Sequence, residues 1–268
     1  MKFTANDGVL YRVHTAGEGR PLVGLHGFTG TGRGLLQYFP LLTTARRMIA
    51  PDLLGHGDTD APDAPARYQI ERAAADIAAL IDTHADGRAD VFGYSMGGRL
   101  ALYLALTYPS RVRSLILESA SPGLEMDDER TARIYSDDGL AARIERDGVA
   151  AFVEDWERLS LFASQSDARR AALRPERLAQ RPNGLANSLR GMGTGMQPSL
   201  WDQLQQLSMP VLLITGALDT KFRAIAAQMV AQMPHAQHIV IPDAGHAPHL
   251  EQNSVFQSAL AAFLQIIH

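Results

Sequence analysis

Three residues of this chain have the types needed for proton transfer through a serine hydroxyl: Ser95, Asp219 and His246. A serine hydroxyl is a poor nucleophile and a poor base until a histidine takes its proton, and a carboxylate is needed to orient that histidine. Ser95 sits in Gly93-Tyr94-Ser95-Met96-Gly97-Gly98-Arg99, after the apolar run Ala89-Asp90-Val91-Phe92 and before the helical run Arg99 to Leu106. Glycine on either side lets two backbones approach, which fits a tight strand-to-helix turn with the hydroxyl at its tip. His246 lies in Asp243-Ala244-Gly245-His246-Ala247, just after the last expected strand, in a loop able to reach across a sheet edge. His249 competes for the role but falls nearer the next helix. Asp219 follows the run ending Ile214-Thr215-Gly216, so it too belongs to a strand's C-terminal end. Singly, each has a plainer reading: an idle serine in a Gly-rich turn, Asp219 as a helix N-cap, His246 as a surface histidine. Together, at three strand ends and in the order Ser, Asp, His, they favour one site.

A negative oxygen formed beside Ser95 needs donors. The helix that starts there offers free N–H groups, Met96 first. A second donor is expected from the loop Gly27-Phe28-Thr29-Gly30-Thr31-Gly32, at Phe28. His26 is expected to shape that loop by packing and to do no chemistry.

A sheet has to position these groups. Val9 to His14 alternates like a strand, and Pro21–His26, Arg46–Ala50, Val112–Glu118, Pro210–Thr215 and Gln237–Ile241 read as further strands. Tyr68–His84 carries Ile70, Ala74, Ile77 and Ile81 at helical spacing. Helices are also expected after Ser95 (ended by Pro109), over Phe222–Met233, and from Asn253 to the C-terminus. Strands alternating with helices imply an α/β fold with a mostly parallel central sheet. The alternation stops between 121 and about 200, where the segments are helical and charged. The expected organisation is therefore a core of residues 1–120 and 201–268, with 121–200 inserted between two strands as a helical lid. Such a lid stands at the carboxyl ends of the strands, where open α/β sheets bind ligands.

The 268 residues suffice for one such domain and a sizeable core. A formal net charge of -4 offers nucleic acid no general attraction. The absence of cysteine rules out disulfides, thiolate catalysis and Cys-based zinc sites. No stretch resembles a signal peptide or a membrane span, so the cytoplasm is the expected location. Basic residues are nearly all arginine; only Lys2 and Lys221 are lysine, for which a GC-rich genome is the plain cause.

Leu25-His26-Gly27-Phe28-Thr29-Gly30, Pro51-Asp52-Leu53-Leu54-Gly55-His56-Gly57 and Asp243-Ala244-Gly245-His246 together resemble the α/β-hydrolase superfamily. Further stretches narrow the resemblance: Gly93 to Arg99, Glu118 to Leu124 with Glu129 to Arg133, Trp156 to Gln165, Ser188 to Gly195, and Asp219-Thr220-Lys221-Phe222. They resemble the menaquinone-biosynthesis family of 2-succinyl-6-hydroxy-2,4-cyclohexadiene-1-carboxylate synthases. The resemblance runs from about Leu25 to the final helix and includes the lid, where α/β hydrolases diverge most. Arg33-Gly34-Leu35-Leu36 departs from it, since related chains often carry a tryptophan after the oxyanion loop; the pocket wall there stays open.

The resemblance implies elimination of pyruvate from an enolpyruvyl-bearing cyclohexene, with no metal and no organic cofactor. Ser95, activated by His246 and Asp219, would remove a ring proton, and the Met96 and Phe28 N–H groups would hold the resulting oxyanion. The implied partner is a small polycarboxylate, with no nucleic acid and no membrane, and the oligomeric state is left open. Arginine grips carboxylates with a planar fork. Arg99, four residues after Ser95, is expected on nearly the same helix face. The resemblance also favours Arg133 and Arg177 for binding, with Tyr94 and Trp156 against the substrate. Core packing is an equal reading for Trp156. The competing functions are a serine hydrolase acting on esters, thioesters or C–C bonds through an acyl-serine, and a non-catalytic binder on the same fold.

Overall fold

A computed structural model describes residues 1–266. The apolar runs form a single eight-stranded sheet: β1 (Lys2–Thr4), β2 (Leu10–Ala16), β3 (Arg20–Leu25), β4 (Arg46–Pro51), β5 (Ala89–Tyr94), β6 (Val112–Glu118), β7 (Val211–Gly216) and β8 (Ala236–Ile241). The spatial order is β1-β2-β4-β3-β5-β6-β7-β8. β1 and β2 run antiparallel to their neighbours, and β3 to β8 pair in parallel. The sequence patterns follow from this placement. β7 is buried at every position because both of its faces are covered, whereas β2 alternates because one of its faces is not.

Helices cover both faces: α1 (Gly32–Leu36), α2 (Ile70–His84) and α3 (Met96–Thr107) are followed, after three inserted helices within 127–192, by α7 (Thr220–Val230), α8 (Pro248–Glu251) and α9 (Asn253–Ile266). Ile70, Ala74, Ile77 and Ile81 all face the core, as their spacing predicts. α2, α3 and α7 pack on one side around Val23, Val91 and Leu115. α1 and α9 pack on the other around Leu22, Phe92 and Ile116. The expected run of the last helix into residues 267–268 lies outside the described residues.

Between β6 and β7 the chain makes α4 (Asp127–Trp156), α5 (Asp167–Leu178) and α6 (Pro182–Met192). Gly148, at φ 83°, kinks α4, and the second piece brings Phe152 and Trp156 against Phe28. This insertion has its own small core of Ala141, Ile144, Val153, Leu185, Ala186 and Leu189. Burying side chains such as Ile144 and Leu185 favours this arrangement by roughly 1.5–3 kcal/mol each before chain entropy is counted. Phe28, from the loop after β3, packs against the same cluster, so the insertion is seated on the strand ends.

Two elements carry no signal in the sequence pattern. β1 is only three residues long, too short for a periodicity, and is held by Phe3 packing on Tyr11 at 5.9 Å between ring centres. α1 is a single turn capped by Thr31, whose hydroxyl accepts from the Gly34 N–H. Among the described residues no helix is long and apolar enough to cross a membrane.

Candidate active site

β5 ends in the turn that carries Ser95. Ser95 has φ 51° and ψ -109°, a positive-φ conformation that a non-glycine residue adopts at a cost. The surroundings force it. A Cβ at Gly93 would lie 2.3 Å from the Gly97 carbonyl oxygen, and one at Gly97 would lie 2.3 Å from the Leu25 carbonyl oxygen. The Ser95 N–H donates to the Glu118 carbonyl at 2.9 Å, which ties the turn to the end of β6. The hydroxyl is thereby held at the tip of the turn, at the N-terminus of α3.

Ser95 Oγ stands 3.0 Å from His246 Nε2, and His246 Nδ1 stands 2.8 Å from Asp219 Oδ2. With Nδ1–H donated to Asp219, Nε2 is left to accept from the serine hydroxyl. The Asp219 carboxylate also caps α7, its Oδ1 accepting from the Phe222 N–H at 3.1 Å. The helix-cap reading and the site reading of Asp219 thus both hold, one oxygen for each. Phe222 packs its ring 4.6 Å from the His246 ring, and His246 is only 2 % exposed.

His249 does not face Ser95. Its backbone N–H and its Nδ1 both meet the Glu118 carboxylate at 2.9 Å, and Glu118 is fully buried. The Tyr94 ring is set between the two histidines, 5.6 Å from His246 and 4.7 Å from His249. Burial, followed by the Glu118 charge, pushes the Tyr94 phenol well above its ordinary value, so it stays protonated.

The Met96 and Phe28 N–H groups have no protein acceptor among the described residues. Both residues line the cavity that contains Ser95. The loop bearing Phe28 is braced from behind. His26 donates from Nδ1 to the Gly27 carbonyl at 2.8 Å and accepts at Nε2 from the Leu53 N–H at 2.9 Å. Burial holds His26 down at about 4, so it is neutral and structural. Asp52 accepts from the Gly32 and Asp58 N–H groups at 2.8 and 3.0 Å, which binds the second glycine-rich loop to the first.

The Ser95 cavity has a volume of about 600 Å³, within the range of small-molecule sites. Arg99 and Arg133 line it, as do Tyr94 and Trp156. Arg99 has no carboxylate partner among the described residues; its Nη1 donates to the buried Gln197 side chain at 3.2 Å. Desolvation lowers its pKa to about 10, helped by the charge of Arg133 and opposed by Asp137, and it remains a cation at neutral pH. Arg133 is tied to buried Asp137 at 2.8 Å. Trp156 packs 5.4 Å from Phe28 and 5.5 Å from Phe162, so it serves both the wall and the insertion's core. Arg177 is not brought to this cavity. It lies in an adjoining pocket of about 70 Å³, paired with Glu157 at 3.1 Å and 5.6 Å from the Phe162 ring centre.

The sequence profile of the α/β-hydrolase fold matches residues 20–252. A Bacillus subtilis protein provisionally named 2-succinyl-6-hydroxy-2,4-cyclohexadiene-1-carboxylate synthase is 43% identical, with 100% of this chain and 99% of that one aligned. The Serratia proteamaculans protein of the same name is 34% identical over 81% of this chain and 82% of its own. The chain belongs to the 2-succinyl-6-hydroxy-2,4-cyclohexadiene-1-carboxylate synthase family of α/β hydrolases. The solved structure of MenH from S. aureus superposes with a TM-score of 0.90 at 33% identity, covering 96% of this chain and 98% of that one.

Within this synthase family frame, three features of the site escape a reading of the sequence. Gln197 steadies Arg99 from a loop almost a hundred residues away, and no local pattern marks it. The Glu118–His249 pair looks in sequence like a strand-end acid and a spare histidine. Lys221 lines the cavity; it stands within the stretch Asp219-Thr220-Lys221-Phe222, but the sequence alone gives it no role.

Proposed function

We propose that the chain eliminates pyruvate from 2-succinyl-5-enolpyruvyl-6-hydroxy-3-cyclohexene-1-carboxylate to give 2-succinyl-6-hydroxy-2,4-cyclohexadiene-1-carboxylate, with Ser95 as the base. The observation that carries the reading is the shared cavity. A serine hydroxyl 3.0 Å from a carboxylate-backed histidine opens onto the same space as an arginine that forms no ion pair among the described residues. An apolar acyl group gains nothing from such a cation, whereas a carboxylate gains a charge-assisted hydrogen bond.

In this reading Ser95 passes its hydroxyl proton to His246 as it takes the ring proton next to the succinyl carbonyl. The carbon–hydrogen electron pair becomes an enolate whose oxygen is held by the Met96 and Phe28 N–H groups. The enolate collapses, the ring double bond shifts, and the carbon–oxygen bond to the enolpyruvyl group breaks. The departing enolate takes a proton, leaving as pyruvate, and one diene and one pyruvate form per substrate. Arg99 and Arg133 hold carboxylates, Tyr94 and Trp156 bound the ring, and Arg177 supports the wall through Glu157 and Phe162. Residues 121–200 act as a lid over the strand ends. The partner is a small polycarboxylate in the cytoplasm, and no step calls on a metal or an organic cofactor.

The test supplies the cyclohexene substrate to folded protein and follows pyruvate together with diene absorbance. Equal amounts of both are expected. Folded protein that releases neither contradicts the proposal. Rapid turnover of simple aryl esters, with an acyl group trapped on Ser95, would favour the hydrolase instead.

A further inference from the structure

We propose that Lys221 is a substrate-binding residue and that it holds the carboxylate of the enolpyruvyl arm. This rests on the functional reading above, in which the substrate carries three carboxylates, one each on the ring, the succinyl arm and the enolpyruvyl arm. Three basic side chains line the Ser95 cavity: Arg99, Arg133 and Lys221. Arg177, the other arginine that the resemblance favours, is shut into the neighbouring pocket and spent on Glu157. Arg133 shares its charge with Asp137. Lys221 forms no ion pair among the described residues. Glu125 and Glu129 share the lining but are exposed to water, and neither is paired with it.

Apart from a cation–π contact with the Phe222 ring, little in the fold favours a cation at Lys221. It lies in the first turn of α7, where a cation opposes the helix dipole. It is exposed, so it fills no gap in the core. Its Nζ stands 5.9 Å from the centre of the Phe222 ring, and that ring packs 4.6 Å from His246. The ammonium is therefore carried over the ring that packs against His246, on the element whose N-cap is Asp219. An exposed point charge on a flexible stem suits a carboxylate that moves as its bond to the ring breaks, and a rigid bidentate fork does not.

The test compares wild type with Lys221→Gln and Lys221→Arg. Lys221→Gln should raise KM about tenfold and weaken inhibition by added pyruvate by the same factor, with kcat changed less than about threefold, as loss of one charge-assisted hydrogen bond requires. Lys221→Arg should recover most of the loss. Composition allows a second readout, because Lys2 and Lys221 are the only lysines. Amine acetylation read by peptide mass spectrometry should show Lys221 protected by saturating pyruvate, with Lys2, in the edge strand β1, unchanged. Normal turnover by Lys221→Gln, with wild-type KM and pyruvate inhibition, overturns the assignment alone. A wild-type protein that makes no pyruvate overturns the functional reading beneath it.

Discussion

The strand ends and the helical insertion handle charge in opposite ways. At the strand ends the ionisable groups are few and mostly buried, and each is committed to near neighbours. Asp219 orients His246, Glu118 holds His249, and Asp52 binds two loop amides. In the insertion they are many and mostly neutralise one another. Arg174 and Arg177 share Glu157, Arg190 bridges Asp138 and Glu145, and Arg146 holds Asp147. Arg99 belongs to the first region and lines the same cavity as Arg133 of the second, and it forms no ion pair among the described residues. The contrast teaches where function is concentrated. A charge that lines the cavity is available to a ligand, whereas a charge paired on the insertion's outer surface, such as Arg146 or Arg190, is available only to stability.

Changes at the strand ends should therefore cost far more than changes in the insertion. Ser95→Ala should lower kcat by about 10³ or more with melting temperature unchanged or raised, because the base is lost and no core contact is. Near-normal turnover by that variant would break the comparison outright. Arg99→Ala should cost about 10² in kcat/KM, the loss expected of a charge-assisted contact to a desolvated carboxylate. Steady-state kinetics decide it, and an active Arg99→Ala enzyme would remove the carboxylate clamp.

A third prediction concerns pH, because the insertion contains no histidine while the loops around Phe28 bury two. Burial holds His26 at about 4 and His56 at about 3, against 6.5 for a free histidine. As the pH falls below 6.5 the unfolded chain takes up protons that the folded chain refuses, and stability drops until the folded values are reached. Between pH 7 and pH 5 each histidine should cost on the order of 1–2 kcal/mol, seen as a falling melting temperature. His56→Asn should flatten that slope, and a melting temperature independent of pH over this range would contradict the assignment. The smallest effect is expected from Arg190→Ala. It should change kcat/KM less than about twofold and stability by less than about 1 kcal/mol, as for other exposed ion pairs. A larger kinetic loss would show that the insertion's surface charge reaches the cavity.

The same contrast explains what can be read from the sequence. The place of Ser95 at the tip of its turn is legible because backbone geometry leaves so few choices: glycine at 93 and 97 is the only residue that fits those approaches. Asp219 and His246 are legible because parallel strands deliver their C-terminal ends to one edge. The sheet itself is legible except for β1, whose three residues carry no period. The insertion's arginines are not. Arg133 and Arg177 sit at spacings that serve equally for facing a ligand and for pairing with a neighbour along or across a helix. Arg133 proves to do both, lining the cavity and holding Asp137, while Arg177 turns to Glu157 in the adjoining pocket. Gln197 is invisible in the sequence because its partner, Arg99, is distant in the chain.

The central claim is that Ser95 takes a proton and never carries the substrate. The intact mass of the protein, recorded during steady turnover of the cyclohexene substrate, tests it most directly. The account predicts the mass of the unmodified chain throughout, while pyruvate accumulates. A population heavier by a substrate fragment, with the addition mapped to Ser95, would contradict it.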